Sequence, residues 1–144
     1  MSQNAQQGGG ETDARIVIDR LLREAGWDIE DKSQVSTEEA AVDGRADYLL
    51  KSTLTRPLAV VEAKRFSTDP YSAKGQAREY AQSLAAPFVI LSNGREHYFW
   101  EYETGDARPV VGLPNRADLE RRANLRVHRA GGIQASLNAL ILPV

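Results

Sequence analysis

The stretch PLAVVEAKRF, residues 57–66, constrains the fold more than any other. Leu58 to Ala63 read as a strand entering a core, yet Glu62 and Lys64 interrupt the apolar run. Strand side chains alternate between faces, so Glu62 and Lys64 point one way while Val61 and Ala63 point the other. Such a strand packs through one face and presents a carboxylate beside an ammonium on the other.

The remaining pattern supplies its neighbours. Ala14, Val17, Ile18, Leu21, Leu22 and Ala25 recur at three- and four-residue steps, which predicts an amphipathic helix over 12–25 ended by Gly26. WDIE begins a first strand, and a strand over about 34–42 leads through an Asp43-Gly44 turn into RADYLLKS. After LAVVEAK, Asp69-Pro70 opens a helix running to about Leu84, with Asp as cap and Pro at the first position. FVILS, an Asn93-Gly94 turn and EHYFWEYE form a hairpin, and a last helix is expected near Asp118–Asn124. This order predicts a mixed α/β domain with a central sheet of about five strands flanked by helices.

With 144 residues the chain reads as one domain over 11–144, preceded by a flexible Gln- and Gly-rich segment over 1–10. It is long enough to bury a core without staples. The absence of cysteine excludes a disulfide framework and a thiolate metal site, and fits a cytoplasmic setting. No apolar run approaches the roughly 18 residues of a membrane span, and the N-terminus lacks the layout of a signal peptide. A formal charge of −2 gives no global pull toward nucleic acid, so a polyanion must be held locally or through another protein. Lys64, Arg65, Lys74 and Arg78 outnumber Asp69 and Glu79 in one window, and five arginines crowd 116–129. Charge runs of this kind are most often solvated faces.

Asp47, on the strand before LAVVEAK, decides what Glu62 and Lys64 can do. If the two strands form a hairpin, an odd sum of paired residue numbers puts Asp47 on the face of Glu62, and an even sum puts it opposite. Two adjacent carboxylates repel unless a cation lies between them. Mg²⁺ suits them as a hard ion that takes one or two protein carboxylates and keeps positions for water and phosphate oxygens. The Ala63 carbonyl is a further candidate ligand, and Lys64 stands where it could orient a water and stabilise negative charge. Spacing alone leaves an alternative open, an ordinary Glu62–Lys64 ion pair on an edge strand.

Five segments appear in order: ETDARIVIDRLLREAGW, GRADYLL, VVEAKR, GQAREYA and LSNGREHYFWEY. Over roughly residues 11–126 they resemble the N-terminal nuclease domain of the motor (R) subunit of type I restriction–modification enzymes, within the PD-(D/E)xK nuclease superfamily. The resemblance implies a restriction-endonuclease-like core and Mg²⁺-dependent cleavage of DNA, with Mn²⁺ a possible substitute. It makes Asp47 and Glu62 the metal-binding carboxylates and Lys64 the catalytic lysine. Glu11 matches the helical acidic residue and is a further candidate ligand, sharing a helix face with Arg15. Gln76 and Tyr80 match the Q-x-x-x-Y motif and are expected to assist DNA engagement, with Arg65 and Lys74 nearby. Ala46 stands where the superfamily name has proline. The implied partners are DNA, modification and specificity subunits, and a translocase domain. ATP would act only through that motor, since the chain has no G-x-x-x-x-G-K-[ST] loop. An excised domain, a free-standing repair or defence nuclease and a catalytically silent docking or DNA-binding module of the same fold are the alternatives.

The other chemistry-bearing residues point elsewhere. His97 lies on a strand among aromatics and reads as structural, and His128 is too distant to share a zinc site with it. Tyr98, Trp100 and Tyr102 alternate as a half-buried face. Ser67, Ser72 and Ser92 have no evident histidine base, which leaves nucleophilic catalysis unsupported.

Overall fold

β3 (Pro57–Ala63) and β4 (Phe88–Ser92) are buried along almost their whole length. Strands buried on both faces belong in the middle of a sheet with layers packed on each side. The computed structural model describes residues 10–41 and 44–141, without the side chains of 11–12, 39–41 and 129–141, and it shows this arrangement. A six-stranded sheet runs in sequential order through β1 (Val35–Ala41), β2 (Gly44–Lys51), β3, β4, β5 (His97–Trp100) and β6 (Arg108–Val110). Only β3 and β4 pair in parallel; the other neighbours are antiparallel. A parallel pair needs a crossover. It is made by a 3₁₀ turn over Pro70–Ala73 and α2 (Lys74–Leu84), while α1 (Glu11–Glu24) precedes the sheet and α3 (Arg116–Ile141) follows it.

The alternation of β3 sorts the core into two layers. Val61 and Ala63 pack with Tyr48, Phe88 and Ile90 against Ile18 and Leu22 of α1 and Leu119 of α3. Val60 packs with Leu49, Val89, Leu91 and Trp100 against Ala77, Tyr80 and Ala81 of α2. Burying each large aliphatic side chain stabilises the fold by about 1.5–3 kcal/mol. Tyr48 opposes Val61 and Leu49 opposes Val60, so Asp47 stands opposite Glu62 and on its face. This is the odd-sum alternative.

Local chemistry sets the boundaries. α1 ends in paired backbone bonds from Gly26 N–H to the Arg23 carbonyl and from Trp27 N–H to the Leu22 carbonyl, with Gly26 at φ +97°. The Asp69 carboxylate accepts from Tyr71 N–H at 3.0 Å, capping the turn that Pro70 starts.

Several expectations are corrected. WDIE is not a strand: Asp28 and Asp31 wind the backbone through bonds from Glu30 N–H and Ser33 N–H. Trp27 is instead held by its indole N–H on the Pro114 carbonyl at 3.0 Å. The strand at EHYFWEYE shrinks to four residues because Trp100 Nε1 donates to the Gly105 carbonyl and the chain turns there. A sixth strand, β6, joins the edge beyond those expected; it is three residues long with Pro109 at its centre. The loop at Asn93-Gly94 spans 93–96 between paired Ser92 and His97, because the Asn93 side-chain oxygen accepts from both Arg95 and Glu96 N–H. The last helix starts at Arg116 and is 26 residues long. The predicted Asp43-Gly44 turn lies partly outside the described residues; its flanking strands pair up to Ala41 and Gly44. No helix among the described residues is long and apolar enough to cross a membrane.

Candidate functional site

Asp47 and Glu62 hold each other through their backbones. Asp47 N–H donates to Glu62 Oε1 at 3.2 Å, and Ala63 N–H donates to Asp47 Oδ2 at 2.8 Å. Each carboxylate is thus oriented by the strand that carries the other. Backbone N–H bonds to a carboxylate are charge-assisted and fix its direction. Glu62 is 5% exposed and the Asp47 side chain 14%. Two carboxylates this close and this buried repel when both are ionised, and a cation between them relieves that repulsion.

Arg15 of α1 brings a cation to Asp47. Its Nη1 lies 3.7 Å from Asp47 Oδ1 and donates to Glu38 Oε1 at 2.9 Å. The guanidinium also sits 5.3 Å from the centre of the Tyr48 ring. Burial works against its charge, but the bonds to Glu38 and Tyr48 and the nearby Asp47 outweigh it and raise its pKa. Tyr48 donates its hydroxyl to Asp19. Burial first, and then Asp19, push the phenol up, so it stays neutral.

The donor set fits a hard divalent ion. Among the described residues no group of three or more histidine or acidic side chains converges as a metal site. The protein therefore offers two carboxylates, with the Ala63 carbonyl beside them, which is the sparse set Mg²⁺ accepts when water and phosphate complete its shell. Lys64 is the first residue beyond β3, half-buried, with its N–H on the Ser92 carbonyl at 2.8 Å.

The other candidates fall into different places. Tyr80 is buried and reaches β2, where a Cβ on Gly44 would meet its hydroxyl at 2.5 Å. It therefore backs the strand that carries Asp47. Gln76, one turn earlier, is exposed, as is Arg65. Lys74 donates to Tyr71 at 2.8 Å and pairs with Asp106, while its ammonium lies over the Tyr71 and Trp100 rings. Glu11 opens α1, but its side chain is outside the described residues.

One correction concerns nucleophiles. Ser92 does have a histidine partner, because it directly opposes His97 and a 2.7 Å hydrogen bond joins Oγ to Nδ1. The pair is closed to solvent, at 0% and 6% exposure, and Ser92 Oγ also accepts from Gly94 N–H at 3.0 Å. It shapes the hairpin rather than meeting a substrate. Sequence reasoning also missed Glu38, and saw Arg15 only as a helix-face neighbour of Glu11. Both are near Asp47 through tertiary pairing, which leaves no local spacing to read.

A mixed sheet with one parallel pair, helices on both faces and paired carboxylates on adjacent strands is a restriction-endonuclease-like α/β domain. A solved structure agrees. A fragment of an HsdR subunit of a type I restriction enzyme from Vibrio vulnificus YJ016 is 30% identical, with a TM-score of 0.69, over 79% of this chain and 25% of that one. The chain thus spans about a quarter of that relative. The type IIG restriction endonuclease BpuSI is 19% identical over 72% of this chain and 13% of its own, with a TM-score of 0.49. No curated protein matches. A family profile described as "Type I restriction enzyme R protein N terminus" matches residues 15–114. The chain belongs to that family, the N-terminal domains of type I restriction enzyme R proteins.

Proposed function

We propose that this domain is a Mg²⁺-dependent endonuclease that hydrolyses DNA phosphodiester bonds, the cleavage module of a type I restriction enzyme R subunit. The observation that carries the reading is the reciprocal anchoring of Asp47 and Glu62, two carboxylates fixed side by side with one oxygen of each held by backbone. Asp47 and Glu62 hold the dication, with the Ala63 carbonyl as a third oxygen. When bound, that ion supplies Lewis-acid polarisation of the phosphate and eases ionisation of water. Lys64 follows Glu62 by two residues; its ammonium orients the attacking water and stabilises charge developing on the phosphate oxygens. The pattern Asp47…Glu62-x-Lys64 is that of the PD-(D/E)xK nucleases, with Ala46 in place of proline.

Tyr80 supports the Asp47 strand from beneath while the exposed Gln76 and Arg65 face DNA. The net charge of −2 gives this domain little affinity for a polyanion by itself. Target recognition and most DNA binding accordingly fall to the translocase, modification and specificity parts of a larger complex, and ATP acts through the translocase. The test is nicking of supercoiled plasmid by the purified chain with Mg²⁺ or Mn²⁺. Cleavage is expected to disappear in Asp47→Asn and Lys64→Ala. Nicking that survives both substitutions overturns the assignment.

A further inference from the structure

Arg15 stands between two carboxylates on neighbouring strands, bonded to one and only close to the other. At 2.9 Å its contact with Glu38 is a direct charge-assisted hydrogen bond, whereas 3.7 Å to Asp47 is beyond hydrogen-bond reach and acts through charge. We infer that Arg15 is a built-in counter-ion of the Asp47–Glu62 pair that competes with the divalent cation, and that Glu38 is the partner that holds it when the cation binds. The inference rests on the proposed reading of Asp47 and Glu62 as the dication ligands.

The backbone of β1 supports it. Thr37 pairs with Tyr48 and Glu39 with Ala46, so Glu38 occupies the position facing Asp47, but it drops out of the ladder at φ +53°. A residue other than glycine in that region costs about 1–2 kcal/mol and persists only where its surroundings impose it. Here the Glu38 carbonyl accepts from Arg45 Nη1 at 3.1 Å while its carboxylate takes the guanidinium of Arg15. The strain therefore coincides with an acceptor for Arg15 one strand away from the candidate ligands.

Tyr48 limits where the guanidinium can go. Its ring lies beneath Arg15, and its hydroxyl is tied to Asp19 of the same helix. Arg15 thus rests over this ring with its guanidinium between Glu38 and Asp47. A unit charge a few ångströms from a ligand oxygen opposes a dication there by several kT at the effective dielectric of a protein surface. Moving toward Glu38 relieves that opposition without leaving the guanidinium unpaired. In the metal-free chain the same charge offsets the repulsion between Asp47 and Glu62.

The test measures Mn²⁺ affinity of the full chain by electron paramagnetic resonance, alongside thermal melts with and without Mn²⁺. Arg15→Gln is expected to tighten Mn²⁺ binding about tenfold, lower the metal-free melting temperature and enlarge the rise that Mn²⁺ produces. Glu38→Gln is expected to weaken Mn²⁺ binding several-fold, and to change it less than about twofold when Arg15→Gln is already present. Arg15→Met, which keeps the aliphatic stem against Tyr48, must tighten binding too if the Gln variant folds poorly. Unchanged or weaker Mn²⁺ affinity in the folded Arg15 variants overturns the inference. So does a Glu38→Gln effect of equal size in both backgrounds, since Glu38 would then act by its own charge. Asp47→Asn separates the two levels: Mn²⁺ binding that does not depend on Asp47 removes the dication site itself, and the inference with it.

Discussion

Two polar pairs lie at the same end of the sheet. Asp47 and Glu62 face each other across β2 and β3, and Ser92 and His97 face each other across β4 and β5. The Lys64 N–H on the Ser92 carbonyl links the strand ends that carry them. Both pairs are largely buried, yet they differ in what completes them. A hydroxyl and an imidazole kept neutral by burial satisfy one another at 2.7 Å, with no charge left over. Two carboxylates side by side are oriented by backbone N–H groups, but their charges repel when both are ionised. Burial of polar groups is therefore not by itself the mark of a site; neighbouring groups of like charge are the better sign.

The sharpest way to break that comparison is to neutralise one member of each pair. Asp47→Asn or Glu62→Gln is expected to reduce DNA cleavage by about 10³-fold, as losing a preorganised electrostatic group does. Thermal stability should change by less than about 1 kcal/mol, because Arg15 already offsets the repulsion and an amide oxygen still accepts the backbone N–H. Ser92→Ala should do the reverse. It leaves the buried Nδ1 of His97 without its partner at a cost of about 1–3 kcal/mol, and spares cleavage in the folded protein. Denaturant melts and plasmid nicking on the same preparations decide it. If Asp47→Asn loses stability as Ser92→Ala does, the carboxylates are structural and the contrast fails.

How much of this was legible in the sequence depends on the range of the interaction. The two-faced character of β3 followed from alternation, and the helix over 12–25 from its apolar period. Alternation left Asp47 either on the face of Glu62 or opposite it; the choice belongs to the pairing of Tyr48 with Val61. WDIE misled because Trp27 and Ile29 are apolar, while the turns made by Asp28 and Asp31 carry the backbone. β6 carries too few residues for any period to show. Glu38 and Arg15 meet Asp47 only after β1 and α1 have folded around β2. The Ser92–His97 bond was hidden for a different reason: five residues apart in sequence, the two meet through the turn between them.

A second test acts on the carboxylate side through the strand rather than the charges. Gly44 has φ +145°, and a Cβ there would meet the Tyr80 hydroxyl at 2.5 Å. Gly44→Ala combines backbone strain with overlap and is expected to cost about 2–3 kcal/mol. Tyr80→Phe in the same chain removes the clashing oxygen and should recover about 1 kcal/mol of it. Chemical denaturation of the single and double variants measures both. Additive losses would show that Tyr80 does not press on the strand bearing Asp47, and that its place beneath the site has no mechanical meaning.

The smallest effect sharpens the other half of the comparison. Burial lowers the pKa of His97, so the unfolded chain takes up a proton at about pH 6.5 before the folded one does. The stability from keeping this imidazole neutral is therefore full above that pH and is lost as pH falls through the lower folded value. The carboxylates whose pKa values are lowered by hydrogen bonds, among them Asp31, Glu38, Asp106 and Glu120, titrate further down and stay charged through the first part of this fall. The melting temperature is expected to drop between pH 7.5 and 5.5 in the natural chain and to stay flatter in His97→Gln. Because His128 is exposed, His128→Gln should follow the natural chain. If His97→Gln keeps the full slope, the imidazole takes up its proton without leaving the fold. The Ser92–His97 pair would then accept charge at its end of the sheet after all, and would differ less from the carboxylate pair than its geometry implies.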